Sequence, residues 1–199
     1  MKYRKLVLNP PSKDRRVLLH VCCAPCSCAI IDTLIESDVK PTLFFYNPNI
    51  CTEKEYLRRK NEVLRFAESR KVPVLDVEYA HDDFLSKIKG LEEEPEGGKR
   101  CSVCFDIRLK TTAHYAFAHN YLLFATTLGI SRFKNIEEIN RIGREATELY
   151  PFLTFWDYNW KQGGFPERMR EISDAEDFYM QKFCGCEYAR DDKLAQSVL

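Results

Sequence analysis

Cys22, Cys23, Cys26 and Cys28 fall within seven consecutive residues, directly after the apolar run Val17-Leu18-Leu19-His20-Val21. The run reads as a buried β-strand. The cysteines then occupy the loop at its carboxyl end, where α/β proteins place their ligands. Two more groups follow: Cys101 and Cys104 as a C-x-x-C at a predicted helix start, and Cys184 and Cys186 as a C-x-C. A C-x-x-C puts two sulfurs on one side of a helical turn, and helix-terminal amides favour the thiolate form. An adjacent pair such as Cys22-Cys23 suits one tetrahedral ion poorly, because neighbouring side chains tend to diverge. An iron–sulfur cluster can take diverging thiolates at different irons. A cluster, a zinc site and a bare thiol site are the three chemistries this pattern allows, in that order of preference. A disulfide across Gly185 would close a strained, easily reduced ring and so be redox-active. The alternative there is two further metal ligands or idle thiols. Cys28 and Cys51 stand apart and read as small apolar residues.

Nine cysteines among 199 residues is many, but the number is odd. The first residues, Met1-Lys2-Tyr3-Arg4-Lys5, lack the apolar core of a signal peptide, so a cytoplasmic location is expected. A secreted disulfide framework is therefore a poor reading, and metal or thiol redox chemistry is left. No apolar stretch approaches the roughly 20 residues of a membrane helix. Lys plus Arg equals Asp plus Glu at 30 each. The balance gives no global signal for nucleic acid, yet it can hide a basic face.

The elements that must position these cysteines alternate. Strands are predicted at Arg16–Val21, Pro41–Asn47, Pro73–Tyr79, Tyr121–Thr126 and Phe152–Trp156. Helices are predicted from Cys28 to Ser37 (Ile30, Ile31, Leu34 and Ile35 inward), from Thr52 to Arg70 (Tyr56, Val63, Leu64 and Ala67 inward), from Asp82 to Lys89, from Cys101 to His119, and from Asn135 or Asn140 to Tyr150. Residues 1–15 read as a surface arm and Leu91–Arg100 as a solvated acidic loop. From Pro166 the chain reads as helical, interrupted at Phe183-Cys184-Gly185-Cys186. This is one α/β domain over residues 1–199, with a core from about 16 to 156 and a helical C-terminal segment from about 157 to 199. The alternation implies a parallel sheet flanked by helices, with strand four beside strand one at the switch point. The cysteine loop would then meet Thr126–Lys134.

Several other residues lie near that rim. Asp106, two past Cys104, could be an extra iron ligand, a proton donor or an exposed helix carboxylate. Arg108 and Lys110 read as solvated charges, and His20 as a satisfied core histidine. Tyr46 and Asn47 end strand two on the same rim. Ser131, Arg132 and Lys134 sit where a phosphate could bind. Trp156, Tyr158, Trp160 and Lys161 could stack on a nucleobase, although such a stripe is more often core.

Taken together, Leu19–Ser27, Phe45–Ile50, Lys99–Leu109, Thr126-Thr127-Leu128 and Tyr179–Cys186 resemble the QueH-type epoxyqueuosine reductase family, in order and across nearly the whole chain. Cys51 departs from the pattern, where histidine is common. The resemblance implies a Rossmann-like fold of the HUP (adenine nucleotide α-hydrolase-like) type. It implies reduction of the epoxide of epoxyqueuosine, at the wobble position of tRNA, to the cyclopentene of queuosine. Cys22, Cys23, Cys101 and Cys104 map to the ligands of a [4Fe-4S] cluster, and Cys184 and Cys186 to a redox-active pair. No cobalamin is expected. A further iron ion, with Cys26 or Asp106 as ligand, and an electron donor of unspecified identity belong to the same expectation. Two rivals remain. An ATP-dependent tRNA thiolation enzyme would need a glycine-rich phosphate loop after strand one, where this chain has Cys22-Cys23-Ala24-Pro25-Cys26. A zinc-stabilised RNA-binding module would hold a colourless, redox-silent metal.

Overall fold

Val17, Leu18 and Leu19 are fully buried, as expected of a strand covered on both faces. In the computed structural model, which describes residues 6–75 and 77–189, they belong to β1 (Arg16–His20), the middle strand of the sheet. Along the chain follow α1 (Ala24–Glu36), β2 (Lys40–Phe44), α2 (Glu53–Ser69), β3 (Val74–Leu75), α3 (His81–Lys87), α4 (Lys99–Ala118), β4 (Leu123–Thr126), α5 (Ile136–Glu145), β5 (Thr154–Phe155) and α6 (Phe165–Ala175). The five strands run parallel in the order β3-β2-β1-β4-β5. Leu19 pairs with Leu43 of β2 on one side and with Ala125 of β4 on the other.

Side chains alternate across β1. Val17, Leu19 and Val21 pack into one apolar core with α1, α2 and α6. Leu18 packs into the other with Phe105 and Leu109 of α4 and Ile139 and Ile142 of α5. The chain leaves β1 for β2 and β3, then returns to β1's other edge as β4. The loops after β1 and β4 consequently meet at one end of the sheet, beside the switch point, as expected from the sequence. Among the described residues no helix is long and apolar enough to cross a membrane.

Several expected boundaries move. α1 starts at Ala24, not Cys28, with Pro25 in its first turn and Cys23 as an extended N-cap (φ −171°). Pro25 acts there as a helix starter, its missing N–H falling where no helical bond is made. Cys26 and Cys28 thereby stand on the helix. Ile35 is 41% exposed and Leu64 37%, so both leave their expected apolar stripes. α3 is not capped by Asp82; Ala80 precedes it, and Asp82 lies in the first turn, where a carboxylate suits the helix dipole. Asn135 is the cap of α5, its Oδ1 accepting from the backbone N–H groups of Glu137 and Glu138. The second, third, fourth and fifth strands are shorter than expected, and Asp76 of the third lies outside the described residues. The C-terminal helix stops at Ala175. Residues 177–186 then run without regular structure, and the expected helical region beyond 189 lies outside the described residues, as do residues 1–5 of the arm.

Gly143 lets α5 lie against the edge strand: a Cβ there would collide with the ring of Phe155. Gly143→Ala is expected to destabilise the fold by about 1–3 kcal/mol, as overpacking does, read as a lowered denaturant midpoint at unchanged slope.

Candidate metal centre

The turn from β1 into α1 gathers the first cysteine group. Extended backbone at Cys23 swings its side chain alongside that of Cys22, and Cys26 follows one helical turn later on the same side. The sulfurs of Cys22, Cys23 and Cys26 all lie within 4.8 Å of one another, with Cys22 Sγ and Cys23 Sγ 3.8 Å apart. The neighbouring sulfurs do not diverge, contrary to the sequence-based expectation. Cys22 Sγ also lies 3.8 Å from Thr127 Oγ1, so the loop after β4 closes on the loop after β1.

Thiols this close lose protons in sequence. Cys22 is held well below the ordinary thiol range, because its thiolate accepts from Cys23 and Cys26 and faces Lys134 and Arg108. Burial and the Cys22 thiolate push Cys23 up, and its two neighbours push Cys26 up.

The second group lines a cavity of about 330 Å³ with the third. Cys101 and Cys104 from α4 face Cys184 and Cys186 of the C-terminal segment across it, with Lys134 and Phe133 also in its wall. The helix start favours thiolates less than the sequence suggests. Burial dominates and pushes Cys104 to about 12, against the opposing pull of Arg108. Cys101 is raised as well, although the Gly97 N–H donates to its sulfur at 3.2 Å. Burial pushes Cys186 to about 11.

Two cations connect the groups, and neither was prominent in the sequence. Arg108 is no solvated charge: it is 2% exposed. Its Nε lies 3.3 Å from His20 Nε2, its Nη1 4.0 Å from Cys104 Sγ, and its Nη2 donates to Asn47 Oδ1. Asn47 in turn donates to the Val21 carbonyl at 2.9 Å. The available signal was spacing, since Arg108 follows Cys104 by one helical turn on the same face. Burial would lower the pKa of Lys134, yet the thiolates of Cys184, Cys22 and Cys26 outweigh that and raise it. His20 is the satisfied core histidine anticipated, bonded to Thr126 Oγ1 at 2.8 Å and near Tyr46 O at 3.1 Å; burial and Arg108 hold its pKa at about 3.

The C-terminal segment is tied down by side chains from elsewhere. Arg59 and Glu55 of α2 form a buried ion pair at 2.7 Å. Arg59 Nη1 donates to the Cys184 carbonyl at 3.0 Å and Nη2 to the Phe183 carbonyl at 3.3 Å. The Gly185 carbonyl accepts from the Cys51 N–H at 2.7 Å. Gly185 has φ +112°, and a Cβ there would press on Ile50 and Arg59, so glycine is required. Buried Arg100 donates to the carbonyls of Leu91, Glu92, Glu94 and Tyr188, drawing the acidic loop and the segment's end together. Gln181 Nε2 lies 2.7 Å from Cys23 Sγ.

The other residues singled out in the sequence fall away from the cavity. Asp106 lies about 200° around α4 from Cys104 and pairs with Lys110 at 2.8 Å. Arg132 lies over the ring of exposed Phe133, and Ser131 Oγ accepts from the Phe133 N–H. Trp156 and Trp160 are buried, with Trp160 packed on Phe165, so they build core and offer no stacking surface. Lys161 donates to the Lys134 carbonyl. Cys28 is an ordinary core residue donating to the Pro25 carbonyl.

A cofactor site made only of sulfur donors, with a buried guanidinium and a half-buried ammonium balancing thiolate charge, fits a thiophilic metal or an iron–sulfur cluster. Replacing Arg59 would leave Glu55 buried and unpaired and free two carbonyls. Arg59→Met is expected to cost about 3–5 kcal/mol, and hydrogen exchange should show lost protection around residues 183–186.

Comparison with known proteins reaches the whole of this architecture. A family model described as epoxyqueuosine reductase QueH matches residues 17–192. Proteins named epoxyqueuosine reductase QueH are similar along most of their length. The one from Acinetobacter baylyi is 46% identical over 192 residues, covering 96% of this chain and 88% of its own. That of Haemophilus influenzae is 44% identical over 185 residues, covering 93% and 76%. That of Thermotoga maritima is 32% identical over 176 residues, covering 87% and 89%.

Proposed function

The chain belongs to the epoxyqueuosine reductase QueH family, and from that premise we propose that it reduces the epoxide of epoxyqueuosine in tRNA to give queuosine. The observation that carries the reading is the close grouping of Cys22, Cys23 and Cys26 at the sheet's switch point, linked through Arg108 and Lys134 to the cavity lined by Cys101, Cys104, Cys184 and Cys186. In the proposal Cys22, Cys23, Cys101 and Cys104 hold a [4Fe-4S] cluster, and Cys26 is the thiol left to a further iron. Such a group, when bound, supplies single electrons and a Lewis-acidic iron.

Removing the epoxide oxygen as water requires two electrons and two protons. Cys184 and Cys186 are proposed to store the electron pair: two thiols give up two electrons and two protons as a disulfide forms, and an external donor must reduce it again. Gly185 holds the backbone bend that brings the two thiols into one cavity wall. Asp106 is proposed as a proton donor, a role that requires its ion pair with Lys110 to open and the substrate or a water to reach it on the face of α4 turned from Cys104.

The wobble nucleotide lies in a loop, so its base can be splayed out without opening a duplex. Phe133 is 68% exposed beside the cavity, next to Arg132, and offers a face for a base to stack on. Lys99, which lines the cavity, and Arg132, beside Phe133, are exposed and available to phosphates, making binding salt-sensitive. Nucleotide hydrolysis is disfavoured, because the turn after β1 presents sulfurs and a proline where a phosphate would need close backbone approach.

Protein purified without oxygen is expected to be brown, to contain at least about four irons and four sulfides, and to bleach with dithionite. It should convert epoxyqueuosine tRNA with repeated turnover. A colourless protein with stoichiometric zinc would replace this reading with a structural RNA-binding module. The Cys184→Ser/Cys186→Ser variant should keep its iron and lose multiple turnover; full turnover would remove the dithiol from the mechanism. Asp106→Asn should slow turnover about a hundredfold with iron content unchanged, and an unchanged rate would remove Asp106 from the site.

A further inference from the structure

Residues 177–189 carry little regular structure and are held over α2 and the cysteines by pins at intervals. The Tyr179 N–H donates to the Glu62 carboxylate at 3.0 Å, and the Tyr179 ring lies 3.4 Å below the Arg58 guanidinium. Arg59 holds the carbonyls of Phe183 and Cys184, Cys51 that of Gly185, and Arg100 that of Tyr188. Between the first two pins the side chain of Gln181 turns inward. Its Nε2 lies 2.7 Å from Cys23 Sγ and 4.0 Å from Cys26 Sγ, while its Oε1 is buried without a hydrogen-bond partner.

The orientation has a chemical reason. A metal-bound thiolate can only accept, so the amide must present N–H to sulfur even though its carbonyl is then left unsatisfied. A buried acceptor without a partner is unfavourable, a cost that a charge-assisted N–H···S bond offsets. Hydrogen bonds to the sulfurs are among the factors that set the potential of an iron–sulfur group. An N–H donor draws negative charge from the thiolate and so favours the more negative, reduced state.

We propose that Gln181 is a positioning residue that raises the electron affinity of the iron–sulfur group that Cys23 helps to hold, through an N–H···S hydrogen bond made only while the C-terminal segment is docked. The inference rests on the iron–sulfur reading above. It gives the segment a second role. Gln181 lies three residues before Cys184, so the docking that brings the dithiol to the cavity also makes the metal group easier to reduce.

The test is an anaerobic redox titration of the iron-loaded wild type, Gln181→Leu and Gln181→Glu, followed by visible absorbance and electron paramagnetic resonance, with iron and sulfide assayed in each. Gln181→Leu should weaken the one-electron reduction equilibrium about tenfold, equivalent to about 59 mV, at unchanged iron content. Gln181→Glu, which replaces a donor by a negative acceptor, should weaken it further. A merely structural role for Gln181 would not order the two variants in this way. Equilibria within twofold of wild type in both variants, with iron retained, would overturn the role of Gln181 and leave the reductase reading standing. A wild-type protein that binds no iron would overturn both.

Discussion

Arg108 is the charge on which the site's geometry depends. A guanidinium stays protonated at any physiological pH, so its burial has to be matched by acceptors. Here Asn47 Oδ1, the His20 ring and the sulfur of Cys104 provide that match. These partners come from three elements: the end of β1, the loop after β2, and α4. Asn47 extends the link by donating to the Val21 carbonyl, the last backbone acceptor before the cysteines. One side chain thus fixes α4, with Cys101 and Cys104, against the turn that carries Cys22, Cys23 and Cys26. The same requirement keeps His20 neutral, since a second cation beside Arg108 would find no counter-charge.

The C-terminal segment is held on a different principle. Over residues 177–186 it has no sheet ladder or helix of its own, yet it crosses buried ground, where backbone groups must find partners. Arginine forks supply them. Arg59 reaches two successive carbonyls while Glu55 balances its charge, and Arg100 gathers four carbonyls from two separate loops. An arginine at such a position resists substitution by lysine, because a single ammonium cannot present the planar fork. The segment is therefore anchored through its backbone, which leaves the side chains of Gln181, Cys184 and Cys186 at the metal site.

The parallel sheet and the place of strand four beside strand one were legible in the sequence, because Val17–Leu19, Leu43–Phe45 and Leu123–Ala125 are apolar runs of strand length separated by helical periods. The resemblance of the motifs to one family was legible for the same reason that the cysteines were, by residue type and spacing. The start of α1 was not, because Pro25 reads locally as a loop residue although it is also a favoured first-turn residue. Misplacing that boundary put Cys26 in a loop with Cys22 and Cys23, whereas it stands in the first turn of α1. Arg59, Arg108 and Gln181 stayed hidden for a further reason. A charged or polar residue on a helix or in a tail has the same local signature whether it faces water or a buried partner. The partner of Gln181 lies 158 residues away, and only the folded topology brings it near.

The buried thiols also explain why this pocket asks for a metal and is not simply a store of reactive cysteines. Apart from Cys22, the thiols for which a shift is resolved are pushed above their ordinary range, Cys104 to about 12 and Cys186 to about 11 by burial, and Cys26 chiefly by its contacts with Cys22 and Cys23. At neutral pH they would keep their protons and react slowly. A thiophilic cation replaces those protons and neutralises the charge that burial disfavours, so metal binding and deprotonation proceed as one event. Lys134 and Arg108 supply positive charge to only part of the set. The surplus of sulfur over protein cation is the electrostatic reason these cysteines suit a thiophilic metal, and it explains how a chain of zero net charge can concentrate so much latent negative charge at one end of its sheet.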